Sequence, residues 1–457
     1  MTRYVLAPLL GPSDGFDPPP RGNERIHRFD ILHDGHLRLG IKSALSQLRK
    51  AEGVPTGHGL ELLLLATLVS LADTRINRAR SSQDGWTREI GLYLPVATPV
   101  SWYPAKPILE TMLRFLTGDL WTVDFRPWVG ELGRARLQGS LMTPTFNAVS
   151  LFSGGLDSLI GAIDKLDDGA ENIYFVSHKA DGAISKPQND VYDLATRAFR
   201  NRSPMRLAFP TGKVLNVFPE LGGENSTRGR SFLFIALAAF AGSALGAPFP
   251  IYVPENGLIS LNVPLDATRL ASNSTRTTHP YYFHRWNDLL KILGIAGTVQ
   301  NPYWNRTKGE MILECARPDI LKATAGLSIS CAKPAHGRWE GSSEPHCGYC
   351  LPCIIRRAAF LKGAEVMADP SRYRMEDPAN SDLDSTNKKG EQYRGFEYAI
   401  ERLRQDPTRT RSFIYKTGPL MEDLDKIEGL EGVYSRGMEE VAAFLKGIET
   451  ISSEADT

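Results

Sequence analysis

The chain has little cysteine, and most of it is gathered in one place. Five cysteines occur in 457 residues, and four fall between Cys331 and Cys353. That excludes a disulfide-stapled secreted scaffold and points to a metal in a reducing compartment, the cytoplasm. An excess of either charge is also lacking, since 53 basic residues against 52 acidic ones leave +1. Nothing in that balance calls for nucleic acid or an anionic membrane as the main partner. The opening MTRYVLAPLLGPSDGF has too short an apolar core for a signal peptide. Long uncharged runs are rare, but Phe232 to Val253 is one, and it is long enough to cross a bilayer. It is rich in Ala and Gly and broken by Pro248 and Pro250. A buried helix, Phe232 to Leu245, followed by a buried strand, Ile251 to Val253, fits it better. No GxxxxGK[ST] and no dinucleotide GxGxxG occurs, and no internal repeat is evident.

What the chain does have is Ala148 to Lys165, AVSLFSGGLDSLIGAIDK. A short apolar run predicts a strand, and Leu156, Leu159, Ile160 and Ile163 recur at helical spacing. Between them, Gly154 and Gly155 let the backbone approach an anion with no Cβ in the way. The first amides of the helix point at such a ligand, and its dipole adds positive potential. Ser153 and Ser158 offer hydroxyl donors to phosphate oxygens. Asp157 repels phosphate and is tolerable as a metal ligand or as a cap on loop amides.

Around this loop the chain divides into three. Residues 1–145 read as an α+β accessory domain, turn-rich at 11–24. Its expected elements are helices Leu60 to Ala72 and Ile108 to Leu116 and a strand Ile90 to Val96. Arg75, Arg78 and Arg80 form a basic helix end, either a solvated face or a phosphate-binding one. Residues 146–365 alternate strands and helices, the pattern of a doubly wound parallel sheet. His178 follows the strand Asn172 to Ser177, at the edge where ligands bind in such sheets. Arg228 and Arg230 enter the Ala-rich helix and can bind phosphate or a substrate carboxylate, or form an ordinary surface pair. Glu255 and Asn256 follow the fourth strand and suit a heterocycle, or a plain turn. Arg276, His279 and His284 lie in a polar, aromatic stretch, Ser272 to His284, unlike a core segment. Lys308 precedes a short helix and can neutralise a leaving pyrophosphate, or be solvated. Residues 366–457 read as a mainly helical extension with a flexible loop at Asp377 to Gly390, helices Phe396 to Arg404 and Met438 to Ile448, and a disordered tail.

The cysteines form the second strong pattern. HCGYCLPCIIRRAAF supplies Cys347, Cys350 and Cys353, and Cys331 is a remote fourth. Such spacing completes a tetrahedral four-thiolate shell with no position open for substrate, so zinc here would be structural. An iron–sulfur cluster is the rival, because Cys-x2-Cys-x2-Cys also opens ferredoxin-type sites. Cys315 is left over as a buried apolar residue.

SGGLDS matches the pyrophosphate loop of the PP-loop ATP pyrophosphatases, an α/β fold of HUP type. With the four-cysteine site, the strand ending Val176-Ser177-His178, Arg228-Gly229-Arg230, and Thr307-Lys308-Gly309-Glu310, residues 146–365 resemble the 7-cyano-7-deazaguanine synthase (QueC) family. The resemblance implies an ATP- and Mg²⁺-dependent ligase or synthase, making AMP and pyrophosphate. Its substrate would be a small molecule like 7-carboxy-7-deazaguanine, activated at its carboxylate and passed to ammonia. Ser153, Gly154, Gly155, Asp157, Ser158 and His178 would bind the nucleotide. Asp157, Ser158, Arg230 and Lys308 would serve catalysis, Arg228, Glu255, Asn256 and Arg276 the substrate. Cys331, Cys347, Cys350 and Cys353 would bind zinc. The Cys331–Cys347 gap is wider than in the family, and the chain is about twice its usual length. In that it looks like the enlarged QueC-like proteins of bacterial anti-phage defence systems, the Qat system among them. A partner protein from the same operon then becomes a candidate acceptor in place of ammonia. A non-catalytic ATP-sensing subunit and a PP-loop tRNA-modifying enzyme are the alternatives.

Overall fold

Strand formation begins at once, because Tyr4 to Pro8 is an unbroken buried run, as in a strand covered on both faces. The computed structural model of the protein describes residues 2–33, 36–128, 146–179, 182–210, 217–265, 276–381, 383–384, 387–448 and 450. Arg3–Leu9 (β1) pairs with Glu24–Asp30 (β2), whose mixed charged and apolar residues suit a sheet edge. Helices Ile41–Lys50 (α1) and Gly57–Arg75 (α2) lead to Glu89–Val96 (β3), and Lys106–Thr117 (α3) leads to Leu120–Pro127 (β4). The sheet order is β2-β1-β3-β4, and its pairings are all parallel. This corrects the α+β expectation for residues 1–145. Helical crossovers return the chain in the same direction, so the strands they join run parallel. Past the end of α2, Arg80 is exposed, as on a solvated face, but Arg78 is not. Arg78 and Arg88 are buried against Asp73 and Asp119, with Arg88 Nη2 2.6 Å from Asp119 Oδ2 and Arg78 Nη1 2.8 Å from Oδ1.

The second sheet comprises Ala148–Leu151 (β5), Ile173–Lys179 (β6), Met205–Pro210 (β7), Phe249–Tyr252 (β8) and Gly297–Gln300 (β9). Its order is β9-β8-β5-β6-β7, all parallel. The chain fills one side of β5, then returns to fill the other. The order therefore reverses between β5 and β8, and their carboxyl ends flank a crevice there. Between the strands run Leu156–Asp168 (α4), Gly182–Arg197 (α5), Arg230–Gly242 (α6) and Pro280–Ile292 (α7). Lys308–Leu313 (α8) and Leu351–Lys362 (α9) follow. Successive strand residues face opposite ways. Val149, Tyr174 and Val176 share a core with α2 and α6, while Ala148, Ile173 and Phe175 share another with α4, α8 and α9. The uncharged run becomes α6 and β8, as expected, and no helix among the described residues is long and apolar enough to cross a membrane. The stretch expected to avoid the core does not. From Pro280 it is α7, whose Tyr282, Phe283, Trp286, Leu289 and Leu290 are buried at helical spacing; its residues 272–275 lie outside the described ones.

The C-terminal extension is helical. Glu391–Gln405 (α10) and Ile427–Leu445 (α11) pack with Leu258, Ile354 and Ala358 in a third core. Both helices start earlier than the sequence suggested. Residues 382, 385 and 386 of the expected Asp377 to Gly390 loop, and the tail from 451, lie outside the described residues.

Candidate functional site

The loop sits where the strand order reverses. Gly154 adopts φ +79°, a conformation that side chains resist, and an added Cβ would lie 3.1 Å from the backbone of Gln188. Gln188, on α5, is buried and donates from Nε2 to the carbonyls of Ser153 (3.0 Å) and Phe152 (3.3 Å). From the other side, Ile329 N donates to Gly154 O at 3.0 Å, and Leu156 N donates to Ser330 Oγ at 3.4 Å. Ser153 and Ser158 bring their hydroxyl oxygens to 3.1 Å, joining the two ends of the loop. The N-cap of α4 is Gly155, which brings no side chain to cap it. A fixed turn and two hydroxyls at a helix start suit an anion.

Asp157 turns to the end of β8. Its Oδ2 accepts from Asn256 Nδ2 (2.7 Å) and Asn256 N (3.1 Å), and Lys308 Nζ lies 2.8 Å from Oδ1. Burial pushes the Asp157 carboxyl up, but the Lys308 charge and the hydrogen bonds around it prevail, leaving it at about 2. Glu255 is driven the opposite way, well above the ordinary range, by burial and by the Asp157 charge. The charge on one carboxyl opposes ionisation of the other, and the Lys308 ammonium lies against Asp157. The structure thus brings Asp157, Glu255, Asn256 and Lys308 together. Asp157 caps amides of the β8 turn rather than of its own loop, and Lys308 is held by Asp157.

His178, Arg230 and Ser153 line a cavity of about 40 Å³ with Gln188 and Phe234. Burial, then the nearby Arg230 charge, lowers His178 to about 4, so it is neutral at physiological pH. The other predicted residues are elsewhere. The Arg228 guanidinium stacks 4.0 Å from the Trp86 ring centroid and donates to Thr117 O, inside the N-terminal unit. Arg276 covers Phe115 and donates to its carbonyl at 3.2 Å. His279 caps α7 and meets Thr417 Oγ1 at 3.0 Å, while His284 meets Asp423 Oδ2 at 2.8 Å. Arg228 and Arg276 are both committed to aromatic rings and backbone carbonyls of the first 120 residues.

The cysteines converge. Cys331 and Cys350 sulfurs are 3.9 Å apart, as are those of Cys347 and Cys353, and all four lie within 4.8 Å of one another. Gly348 makes the turn at φ +87°, and the Cys350 amide donates to Cys347 Sγ at 3.3 Å. These thiols could hold a metal ion. The site also reaches the loop. Cys331 follows Ile329 and Ser330, which grip Gly154 and Leu156, and buried Arg356 of α9 donates to Ser330 Oγ at 3.2 Å and Ser328 Oγ at 3.0 Å. Sequence reasoning did not mark Gln188, Ser330 or Arg356. Only Arg356 had a signal, its place one turn after Cys353. No protein-family model matches the chain, and no curated protein matches it.

Proposed function

We propose that the protein is an ATP-dependent ligase that adenylates the carboxylate of a 7-deazaguanine acid and passes the acyl group to an amine. One observation carries the reading: the glycine turn and paired hydroxyls of Ser153 and Ser158 lie at a helix start whose N-cap is a glycine, at the crevice between β5 and β8. A carboxylate oxygen attacks the α phosphorus, the bond to the β phosphate breaks, and pyrophosphate leaves. The amine then attacks the acyl carbon, and AMP departs as the amide forms. Arg230, exposed at the start of α6, and neutral His178 line the cavity beside Ser153 and suit charge stabilisation and hydrogen bonding. Mg²⁺ would be held by the nucleotide's own phosphate oxygens, with Asp157, whose oxygens meet Asn256 and Lys308, fixing the β8 turn and α8 beside it.

The four thiolates are assigned to structural zinc. Zn–S bonds of about 2.3 Å at tetrahedral angles place sulfurs roughly 3.8 Å apart, close to the paired separations seen. A multi-iron cluster divides its four thiolates among two or four irons and so spreads them wider than a single ion does. The acceptor amine is ammonia or belongs to a partner protein of the same defence operon.

The test is incubation with Mg-ATP and 7-carboxy-7-deazaguanine, following AMP, pyrophosphate and exchange of labelled pyrophosphate into ATP. Acid-dependent exchange is expected. ATP binding with no AMP released would favour a nucleotide-sensing subunit, and AMP released only with tRNA would favour tRNA modification.

A further inference from the structure

The quartet around Asp157 is assembled from chain segments 150 residues apart, and α11 of the C-terminal extension crosses two of them. At the β8 turn, Val433 and Gly437 pack on Gly257 and Leu258, so closely that a Cβ on Gly257 would lie 2.8 Å from Val433 Cγ2. The same turn is tied to the other segment, since Gly257 N donates to Arg306 O at 2.7 Å. At that second segment, Thr307 caps α8 in a reciprocal box. Glu310 N donates to Thr307 Oγ1 at 3.1 Å, and Thr307 N donates to Glu310 Oε2 at 2.9 Å. Two side chains of α11 hold this box from outside. Arg436 Nε pairs with Glu310 Oε1 at 2.5 Å, and its Nη2 donates to Asn305 O at 2.9 Å. Glu440 accepts from Thr307 Oγ1 and, at 3.3 Å, from Gly309 N. Lys308 lies between those two donors, with its side chain 4% exposed and its ammonium on Asp157.

We propose that Arg436 and Glu440 are positioning residues that aim Lys308 at Asp157, which makes α11 part of the nucleotide site rather than an appendage. The clamp goes beyond the adenylation reading and stands whether or not the loop turns over ATP. Its logic is mechanical. A lysine on the first turn of a six-residue helix points only as firmly as that turn is fixed. The capping box fixes the turn to itself, and Glu440 and Arg436 fix it to the body of the protein. A short acceptor bond to Thr307 beside a charge pair to Glu310 is a stiffer attachment than apolar packing, because both depend on direction.

The experiment is amine acetylation of the full-length protein without nucleotide, with the rate at each lysine followed by mass spectrometry. Lys308 is expected to be strongly protected in the native chain. In Glu440→Ala it should label about ten-fold faster, the effect of losing roughly one hydrogen bond's worth of local stability. Lys165, paired with Glu171 on α4, should not change, nor should any lysine in Glu439→Ala, which alters the exposed neighbour on the same helix. Glu440→Gln keeps an acceptor for Thr307 and should restore most of the protection. Should Glu440→Ala not fold, Arg436→Gln serves instead, with the same expected gain at Lys308. Folded Glu440→Ala or Arg436→Gln protein with Lys308 labelled at the native rate overturns the proposal. So does faster labelling that Glu440→Gln does not rescue. Because no ATP is present, a failure here is separate from a failure of adenylation.

Discussion

A buried carboxylate keeps its charge only where something offsets it, and Asp157 has a lysine, an asparagine side chain and a backbone amide to do so. Removing it strands Lys308 in a nearly closed site. Asp157→Ala should therefore cost about 3–5 kcal/mol, read as a lower urea midpoint, besides abolishing turnover. Asp157→Ala with Lys308→Met should regain most of that stability and none of the activity. Recovery of neither would show that the pair is not what holds the two segments together. Gln188 is the quieter partner. Gln188→Ala frees two loop carbonyls and should cost about 1–3 kcal/mol locally, seen as a raised KM for ATP with little change in global melting. These two residues mark what was legible at this scale. SGGLDS announces itself because two glycines and two serines at fixed spacing have few other uses. Gln188 sits on a helix with no marker, and only the fold brings it 35 residues back to Ser153. Asn256 was visible as a polar residue after a strand, and Lys308 as one before a short helix. Their partnership with Asp157 was not, because pairing across a sheet leaves no trace in local sequence.

At the level of elements, apolar periodicity identified α2, α3 and β3, and an unbroken apolar run identified α6. It missed β1 and β2, since a seven-residue strand near the chain start and a charged edge strand look like turn-flanked irregular chain. It read Ser272 to His284 as unlike a core segment, because in the sequence hydroxyl, basic and histidine side chains surround Tyr282 and Phe283, which open the buried stripe of α7. The clamp on α8 carries an element-level prediction. Burial, with Glu310 adding to it, raises Glu440 to about 7, against the facing charges of Lys362 and Arg436. Between about pH 4.5 and about pH 7 the folded chain keeps a proton that the unfolded chain has released, so stability falls as pH rises through that window. Glu440→Gln lacks that term. The thermal midpoint of the native protein should drop relative to Glu440→Gln between about pH 5 and about pH 8, and parallel pH curves would contradict it. The cysteine element has its own test. If the four thiols hold the proposed zinc, chelation or Cys353→Ser should loosen the Ile329–Ser330 grip on the loop, giving faster amide exchange at Gly154 to Leu156 while β6 stays protected.

On the scale of the whole molecule, the first 128 residues are not an appendage beside a catalytic domain. α2 lies against α6, and both share one core with residues of β1, β3, β5, β6 and β8. The buried arginine–aspartate network of the N-terminal unit ends at α6 as well, since Asp73 accepts from Gly229 N at 2.7 Å and Arg228 reaches Trp86. Burial raises Asp73, against the opposing charge of Arg88. A sequence reading places the boundary near residue 145 because the strong motif begins there, yet a motif marks a site and not a unit of folding. Cut at that point, the chain would bare the side of α6 that α2 covers, where Gly59 closes on Ser243 and Asp73 on Gly229. An apolar helix face of that kind drives association. The fragment 146–457 should therefore be insoluble or aggregate, while the intact chain melts with its two sheets in a single transition by calorimetry. A monomeric 146–457 fragment with native-like circular dichroism would show that the shared core is dispensable, and would return residues 1–145 to the status of a separate domain.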